Sequence, residues 1–574
     1  MVRMTRGEVR TCMHCSDGRL WRSEGPVRVT AAGRLHSLPE TPWTLSLLHA
    51  ARIYLCDLLS LLLFLLHIQH SPLEHIFTLD AGMASILPDE LWLEIFDLAV
   101  EDADLFDLTL PNAFSEASWF KTLYGDWSLR LAHEAVNNAQ RRSNTTKKAI
   151  VSTCRTWRRL GHEFFYRFLF FSDPRNIQRA STLMERDKDL GWRTKRLHIT
   201  RYFAGGGTTM EMTQNAVVSI LRHCPNLKIF IVNWPLANSL KAIGDALCTH
   251  CSRTLRVLHI NIPTTSLARL IFMLQCLPGL VTVHIGFDGT PPEQINLGAA
   301  SDLALTLPSL RHLSLRGPFQ DFLEESIGWT MPSLRALALD FVNHRDDFPD
   351  LIEFLRIHGT QLTFLDLNII PTLDVSMILD LCPLLATFAF NLDWRIPIWE
   401  QHAMPANSLM RRPHPNITTI GLHHLLYAFG VGYAASYDKI DPYATQMIRR
   451  RNDINFAALN KRNFPRLQRI RVLNTTLLSD LEANNGPSQQ CYGRWERWWM
   501  QCQKEGIRLE DCTGAELGTL PMDPEDEDDE SEASGQLTSL RELLMECKRM
   551  NAQRESDVTP PALRMIYAGN SRLS

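Results

Sequence analysis

Cysteine pairs are the first residues in this sequence whose type and spacing could do chemistry. Cys12 and Cys15 form one pair with two residues between them, and Cys248 and Cys251 form another. Thiolates at this spacing bind zinc when two pairs come together, because a structural zinc site needs about four ligands. The two pairs lie far apart in the chain, and Cys224, Cys248 and Cys251 fall at the ends of helical stretches. We therefore predict buried thiols and no metal site.

Two further clusters suggest chemistry by their composition. Residues 205–207 are three glycines, but they lack the lysine and spacing of a phosphate-binding loop, so we predict a turn. Trp495, Trp498 and Trp499 are interleaved with arginines, which also suits nucleic acid. Their i, i+3, i+4 spacing instead predicts one apolar helix face that closes the end of the fold. We predict no catalytic residue, no cofactor and no nucleic-acid partner, and we do not expect an enzyme.

The overall composition is that of an ordinary globular protein. The chain has 574 residues, of which 45% are hydrophobic and 21% charged, with a net charge of −4. These values exclude a mostly disordered, collagen-like or coiled-coil chain and give no drive toward nucleic acid or an anionic membrane. The 13 cysteines are odd in number and sparse, which indicates reduced thiols in an intracellular protein. We predict a cytoplasmic or nuclear location, or both.

A short phrase recurs along the middle of the chain. It consists of a proline, any residue and an aliphatic residue, followed by further apolar residues three and five positions on. Two of its nine copies lack the proline. The first aliphatic residues are Leu227, Leu255, Leu280, Leu310, Leu334, Leu362, Leu385, Ile417 and Leu467. Most steps between copies lie in or within a residue of the range of about 20–29 that is typical of leucine-rich repeats.

The phrase predicts the secondary structure of each repeat. Alternating apolar residues at its end indicate a strand with one buried face, and the stretches between copies are helical in pattern. The proline is expected to end each helix before the strand begins. Because one strand–helix unit cannot cover its own apolar face, stacked units bury a continuous core. The sequence therefore predicts an α/β solenoid over residues 190–515, with weaker outer copies at 197–199 and 507–509 and a concave surface lined by strands.

One step between copies is far longer than the others. It measures 50 residues, from Ile417 to Leu467, and contains an insertion at 423–464 that is rich in tyrosine and arginine. Aromatic residues and arginine are typical anchors of protein interfaces. The candidates for binding a target protein are Tyr433, Tyr437, Tyr443, Arg449 and Arg450. A packing loop over the solenoid is the alternative.

A helical motif precedes the repeats. Leu87 and Pro88 introduce an acidic first helical turn, and Leu91, Ile95 and Ala99 then recur at every fourth position, which predicts an apolar stripe. A second helical pattern covers residues 149–160. The polar residues 137–148 before it are predicted to form a loop.

These two helical pieces, followed by leucine-rich repeats, resemble an F-box protein. F-boxes are small helical modules that dock on the Skp adaptor of SCF (Skp–cullin–F-box) ubiquitin ligases. The resemblance implies a Skp adaptor and, through it, a cullin as partners, with an unknown target protein held by the repeats. One departure is that residues 97–148 are far longer than the usual link between the two helical pieces. The residues that match the F-box pattern, and are the candidate adaptor contacts or module core, are Leu87, Pro88, Leu91, Ile95, Phe96, Val151, Cys154 and Trp157.

Two alternatives to a ubiquitin ligase receptor stay open. One is a repeat scaffold outside the ubiquitin system, in which the helices only cap the solenoid. The other is a membrane-tethered form that uses the apolar run at 53–68, although Asp57 interrupts this run and a span needs about 20 apolar residues. A natural start at Met83 would remove that run altogether.

The predicted organisation follows from these segments. An acidic stretch at 523–532 holds 8 carboxylates and is expected to be disordered. The predicted segments are a poorly ordered N-terminal extension (1–82), an F-box-like helical module (85–170) with an insertion (97–148), a repeat solenoid (190–515) with an insertion (423–464), an acidic linker (516–536), and a short helix with a tail (537–574).

Overall fold

A computed structural model describes the helical motif and the repeats. The chain divides into two compact units, Met1–Asp80 and Ala81–Ser574, and all described residues belong to the second. Three predicted features lie outside the described residues: the apolar run at 53–68, the glycines at 205–207 and the segments at 517–574. The described residues are 87–100, 105–109, 112–114, 119–121, 127–129, 137–200, 209–289, 296–340, 349–368, 375–393, 409–430, 433–473, 489–514 and 516. Within these ranges, no helix combines the length and the apolar character that crossing a membrane requires.

Among the described residues, three helices and a small hairpin come before the main sheet. The helices are α1 (Asp89–Val100), α2 (Asn137–Thr153) and α3 (Arg155–Arg167). An antiparallel pair, β1 (Trp119–Lys121) and β2 (Trp127–Leu129), lies between α1 and α2 in the sequence.

The strands of the main sheet alternate with helices along most of the chain. The strands are β3 (Phe168–Phe171), β4 (Arg196–Ile199), β5 (Ile229–Pro235), β6 (Val257–Pro263), β7 (Thr282–Asp288), β8 (His312–Arg316), β9 (Ala336–Asp340), β10 (Phe364–Asn368), β11 (Thr387–Asn391), β12 (Thr419–His423), β13 (Arg469–Val472) and β14 (Arg508–Glu510). The helices are α4 (Pro174–Arg186), α5 (Lys188–Trp192), α6 (Met210–His223), α7 (Leu240–His250), α8 (Leu267–Gln275), α9 (Gln320–Ser326), α10 (Pro349–His358), α11 (Val375–Leu381), α12 (Leu426–Phe429), α13 (Tyr433–Ile440), α14 (Pro442–Ala457) and α15 (Gln489–Glu505).

The main sheet is parallel, and its strands follow the order of the sequence. Each strand from β3 to β14 pairs with its sequence neighbours, which makes one sheet of 12 strands. The apolar residues of successive copies lie opposite each other, as where Phe230 pairs with Leu258 and Leu258 with Val283. The predicted α/β class and the succession of repeat strands, including the outer copies at β4 and β14, are confirmed.

The two faces of the sheet have different neighbours. Side chains such as Phe230 and Leu258 point toward the helices, where they join Leu240, Ile243 and many others in one continuous core. Because side chains alternate along a strand, the residues between them, such as Ile231, point to the opposite side. We call this second side the open face.

Six of the seven prolines of the repeat phrase lie in a tight turn before the strand. The carbonyl of Cys224 accepts a hydrogen bond from the amide of Leu227 three residues on, at 3.2 Å, with Pro225 between them. Proline suits the second position of such a turn because its φ is already close to the required value. The proline therefore delivers the first aliphatic residue into the core, where Leu227 is fully buried. The same bond closes the turns at 277–280, 307–310, 331–334, 382–385 and 464–467.

Gly317, directly after β8, provides a test of the strand spacing. It has a φ of +85°, and a Cβ added there would collide with the carbonyl oxygen of Phe287 on β7. Gly317→Ala is expected to lower the free energy of unfolding by at least about 1–2 kcal/mol, because both the backbone conformation and the close approach favour glycine. Thermal or urea unfolding of the purified chain measures the change.

The matched control is Gly328→Ala. Gly328 has no positive φ, and nothing lies within 4 Å of a Cβ added there. This change is expected to alter stability by no more than about 0.5 kcal/mol. Equal effects of the two substitutions would contradict the close approach of β7 and β8.

Candidate functional site

Helices α1, α2 and α3 form a module with a core of its own. Its buried side chains are Phe96, Val100, Ile150, Leu160 and Phe164. Aromatic rings dominate the packing around them. The ring of Trp157 lies 5.1 Å from that of Phe96 and 4.7 Å from that of Trp92, measured between centroids.

The second helical piece is two helices rather than one. Cys154 has extended backbone angles, with φ −152° and ψ 173°, and separates α2 from α3. Its sulfur accepts a hydrogen bond from the amide of Trp157 at 3.4 Å, so Cys154 acts as the N-cap of α3. The single helix predicted over 149–160 is therefore wrong, because a side-chain cap replaces the helical bond at this position.

Helix α1 carries two apolar stripes. The stripe that enters the module core contains Trp92, Phe96 and Val100. The stripe predicted from the sequence is only partly buried, since Ile95 packs against the module core whereas Leu91 is 44% exposed. Leu98 in the same helix is 71% exposed, and Leu87, two residues before the helix, is 37% exposed. Since a helix turns by about 100° per residue, Leu91 and Leu98 lie within one narrow sector of its surface.

The eight predicted adaptor residues fall into three groups. Leu87, Pro88 and Leu91 are exposed and free to meet a partner. Phe96 is 1% exposed, so its structural place is the module core. The remaining four are half-buried and lie between these extremes: Ile95, Val151, Cys154 and Trp157.

The polar segment at 137–148 is helical, and the predicted loop is wrong. It forms the first part of α2. Gln140, Ser143 and Lys147 of this part are buried, with at most 2% of each residue exposed. Gln140 lies 3.3 Å from the ring nitrogen Nδ1 of His198 on β4, and Lys147 lies over the ring of Phe168 on β3. The helix is polar because it packs on polar and aromatic side chains of the open face rather than on an aliphatic core.

Parts of the 97–148 insertion lie on the sheet. Residues 105–109 and 112–114 contact the open face, together with the first half of α2. Leu87, Leu91 and Leu98 stay exposed. The described residues of the insertion therefore leave the outward stripe of α1 accessible.

The 423–464 insertion contains three helices, α12, α13 and α14, that pack on the repeats. Arg449 is held internally, since its Nε donates to the carbonyl of Tyr427 at 2.9 Å and its guanidinium pairs with Asp438 at 3.3 Å. Tyr437 stacks edge-on against Tyr427. These contacts match the packing alternative for two of the five candidates.

The other candidates of this insertion are placed differently. Tyr443 is 66% exposed, and Arg450 is also exposed. Tyr433 begins α13, and its side chain lies outside the described residues. Tyr443 and Arg450 therefore stay candidates for binding a target.

A buried carboxylate anchors this insertion to the sheet. Asp393 follows β11, and its Oδ1 accepts a hydrogen bond from the side-chain amide of Asn452 on α14 at 2.8 Å. Burial raises the pKa of Asp393 to about 6, although backbone amides at the start of α12 oppose the shift. No local pattern predicts this contact, because the two residues are 59 positions apart in the chain.

The tryptophans of α15 close the helical side of the last repeats. Trp495 and Trp498 are at most 6% exposed, and the ring of Trp498 stacks on that of Phe456 at 4.1 Å. Arg494 pairs with Asp453 at 2.7 Å. These two rings and this guanidinium are engaged inside the protein, as expected for a cap.

The described cysteines are free thiols, and the described residues contain no cluster of three or more potential metal ligands. Cys248 donates to the carbonyl of Met273, whereas Cys251 donates to that of Cys224. Burial raises the pKa of Cys251 to about 12. The second CxxC pair therefore consists of two thiols with separate backbone partners.

Thiol reactivity provides a test of this arrangement. Burial raises the pKa of Cys224 and Cys382 to about 12, so at pH 8 only about one molecule in ten thousand carries either thiolate. Cys276 is exposed. Iodoacetamide at pH 8, followed by peptide mass spectrometry, is expected to modify Cys276 at least about tenfold faster than the other two. Denatured protein, in which all three react alike, is the control, and equal rates in the native protein would contradict the burial.

Comparison with known proteins adds two distant similarities. No protein-family model and no curated protein matches the sequence. A crystal structure of a Bacteroides fragilis protein is similar at 12% identity, covering 69% of this chain and 89% of that one, with a TM-score of 0.29. The crystal structure of the yeast Rad7 and Elc1 complex is similar at 14% identity, covering 60% of this chain and 92% of that one, with a TM-score of 0.23. TM-scores this low do not establish a common fold, so the assignment of the fold rests on the strand order and register described above.

Proposed function

We propose that this chain is a substrate-recognition subunit of an SCF ubiquitin ligase. In this proposal, α1, α2 and α3 dock on the Skp adaptor, and the repeats hold a target protein. Other subunits supply the chemistry of ubiquitin transfer. The chain contributes only the position of the target and its effective concentration near the ligase.

The outward stripe of α1 is the observation that carries the proposal. Leu91 and Leu98 expose apolar surface in one sector of a helix whose opposite side is already packed, and Leu87, two residues before the helix, is exposed as well. Exposed leucines are common singly, but several aligned on one face indicate a surface that another protein covers. Leu87 and Leu91 are also two of the positions at which the sequence resembles an F-box.

The link between the module and the repeats supports the same role. Helix α3 ends at Arg167, and strand β3 begins at the next residue, Phe168. Arg167 also pairs with Asp97 of α1 at 2.8 Å and lies over the ring of Phe164. With no loop between them, the module and the sheet hold a fixed orientation, which a receptor needs in order to present its target.

Substitution of the outward leucines tests adaptor docking. Leu87→Ala together with Leu91→Ala is expected to weaken binding of a purified Skp adaptor at least about tenfold, because truncating buried interface anchors costs about 1–3 kcal/mol each. Isothermal calorimetry measures the affinity. The unfolding midpoint should not change, since both side chains are exposed in the free chain.

The matched control is Leu183→Ala on α4. Leu183 is 41% exposed, close to the 44% of Leu91, but it belongs to the first repeat rather than to the module. This variant should bind the adaptor like the unmodified chain. Equal affinity of the double variant and the control would refute docking through α1.

A cellular experiment separates the receptor from a repeat scaffold outside the ubiquitin system. Proximity labelling from the full chain is expected to identify proteins whose labelled amount rises when the proteasome is inhibited. The Leu87→Ala, Leu91→Ala chain should accumulate the same proteins without the inhibitor, because it keeps the repeats but loses the ligase. A labelled set that responds to neither treatment would favour the scaffold.

A further inference from the structure

The open face of the sheet is covered at both ends. Ile229, Ile231 and Val257, on β5 and β6, are at most 1% exposed although they point away from the helices. At the other end, Ala389 on β11 and Glu510 on β14 are equally buried. The open-face positions of β8 and β9 are only half-buried. Some other part of the chain must therefore cover the two ends.

The cover is part of the long insertion between α1 and α2. We call residues 105–109 and 112–114 the strap. Phe106 and Leu108 pack against the buried open-face residues of β5 and β6. Further along the sheet, Ala113 and Phe114 pack beside Ala389. The strap thus runs across the strands, from one covered end of the open face to the other.

Side chains of the sheet donate hydrogen bonds to three main-chain carbonyls of the strap. The guanidinium of Arg196 donates to the carbonyl of Leu105 at 2.6 Å, and the hydroxyl of Thr282 donates to the carbonyl of Leu108 at 2.5 Å. The guanidinium of Arg471 donates to the carbonyl of Phe114 at 2.6 Å. All three donors are at most 6% exposed. Main-chain carbonyls are common to every peptide, so these donors can recognise a segment of another sequence equally well.

Apart from the buried Leu105, the apolar side chains of the strap lie in two clusters, each with one phenylalanine as its anchor. Phe106 is the first, and Phe114 is the second, eight positions later. The ring of Phe114 lies edge-on to that of Phe364, and a Cβ at Gly421 would come within 2.6 Å of it. Glycine at this position of β12 leaves the space that the ring occupies. Residues 105–114 include no lysine or arginine.

We propose that the open face is a binding surface for an extended segment of the target protein, and that the strap occupies this surface as an internal competitor. The target segment would present two apolar anchors about eight residues apart, no basic residue between them, and main-chain carbonyls toward Arg196, Thr282 and Arg471. This inference rests on the proposed role of the repeats in holding a target. It specifies the surface on which the target binds and the chemistry that this surface selects. It also implies that the strap must leave the surface before the target binds.

The covalent link gives the strap an advantage over any separate peptide. A tethered segment acts at an effective concentration in the millimolar range. A target therefore binds only when its contacts exceed those of the strap or when the strap is weakened. This arrangement would keep the surface closed to proteins that carry a single matching anchor.

A labelled peptide tests the proposal on the full chain. The probe is a fluorescein-labelled peptide that copies residues 101–116, measured by fluorescence anisotropy. In one chain variant, a Gly-Ser linker of equal length replaces residues 105–114, and a second variant carries Phe106→Ala and Phe114→Ala. Both are expected to bind the probe at least about tenfold more tightly than the unmodified chain, because the internal competitor is absent or weakened. A probe with both phenylalanines replaced by alanine should lose at least about tenfold in affinity for the linker variant.

The matched control for the chain is Phe272→Ala. Phe272 is 43% exposed on α8, on the helical side of the sheet, and its loss should leave the affinity for the probe unchanged. A folded strap variant that binds the probe no better than the unmodified chain would overturn the proposal. Circular dichroism and thermal melting establish folding. Should neither strap variant fold, the strap is an integral part of the fold and the proposal is wrong.

Adaptor binding measured on the same variants separates this inference from the proposed function. The strap variants keep Leu87 and Leu91, so their affinity for the Skp adaptor should equal that of the unmodified chain. Failure of the peptide assay with normal adaptor binding rejects the strap as a competitor only. Failure of adaptor binding with a positive peptide assay rejects the ligase role and leaves the peptide surface in place.

Discussion

The fold depends on the lateral alignment of apolar side chains between parallel strands. A single strand and helix cannot bury both sides of the aliphatic residues that lie between them, so each repeat needs the next one. Phe230, Leu258, Val283, Leu313 and Leu337 occupy the same register on five successive strands and form one row in the core. Displacing any of them would leave a gap on both sides, because interiors are packed nearly as densely as organic crystals.

The helical module is joined to this stack through helices that serve both parts. Helix α2 places Ile150 in the core of the module, and it also places Gln140 and Lys147 on the open face of β3 and β4. Helix α3 continues directly into β3. The module therefore covers the first strands of the sheet while the exposed leucines of α1 point outward. One set of helices can thus both end a repeat array and offer a surface to a partner.

The open face differs from the core in what it needs from its neighbours. Its buried arginines, histidines and threonines are polar groups that lose contact with water, and each requires a hydrogen-bond partner to offset that loss. Arg471 shows how this is met, with two nitrogens that donate to Glu510 and a third that donates to the carbonyl of Phe114. Where the strap lies on this face, its main-chain carbonyls supply such partners to Arg196, Thr282 and Arg471.

The sequence by itself determined the repeats, because their information is local. The proline turn and the alternation after it concern residues within a few positions of each other, and the stacking of neighbours follows once the strands exist. The same holds for α1, whose acidic first turn and apolar spacing are visible within 12 residues.

Tertiary structure alone decided which apolar residues face inward and what covers the open face. Leu91 and Phe96 are both apolar on one short helix, and only the packing of Trp157 and Phe164 turns Phe96 inward and leaves Leu91 exposed. The polar composition of residues 137–148 predicts a loop, because the residues they pack against, His198 and Phe168, are distant in the chain and do not appear in the local pattern. The contact of the strap with the sheet could not be predicted for the same reason. Phe114 and Arg471 are 357 residues apart in the chain and come into contact only when the whole sheet has formed.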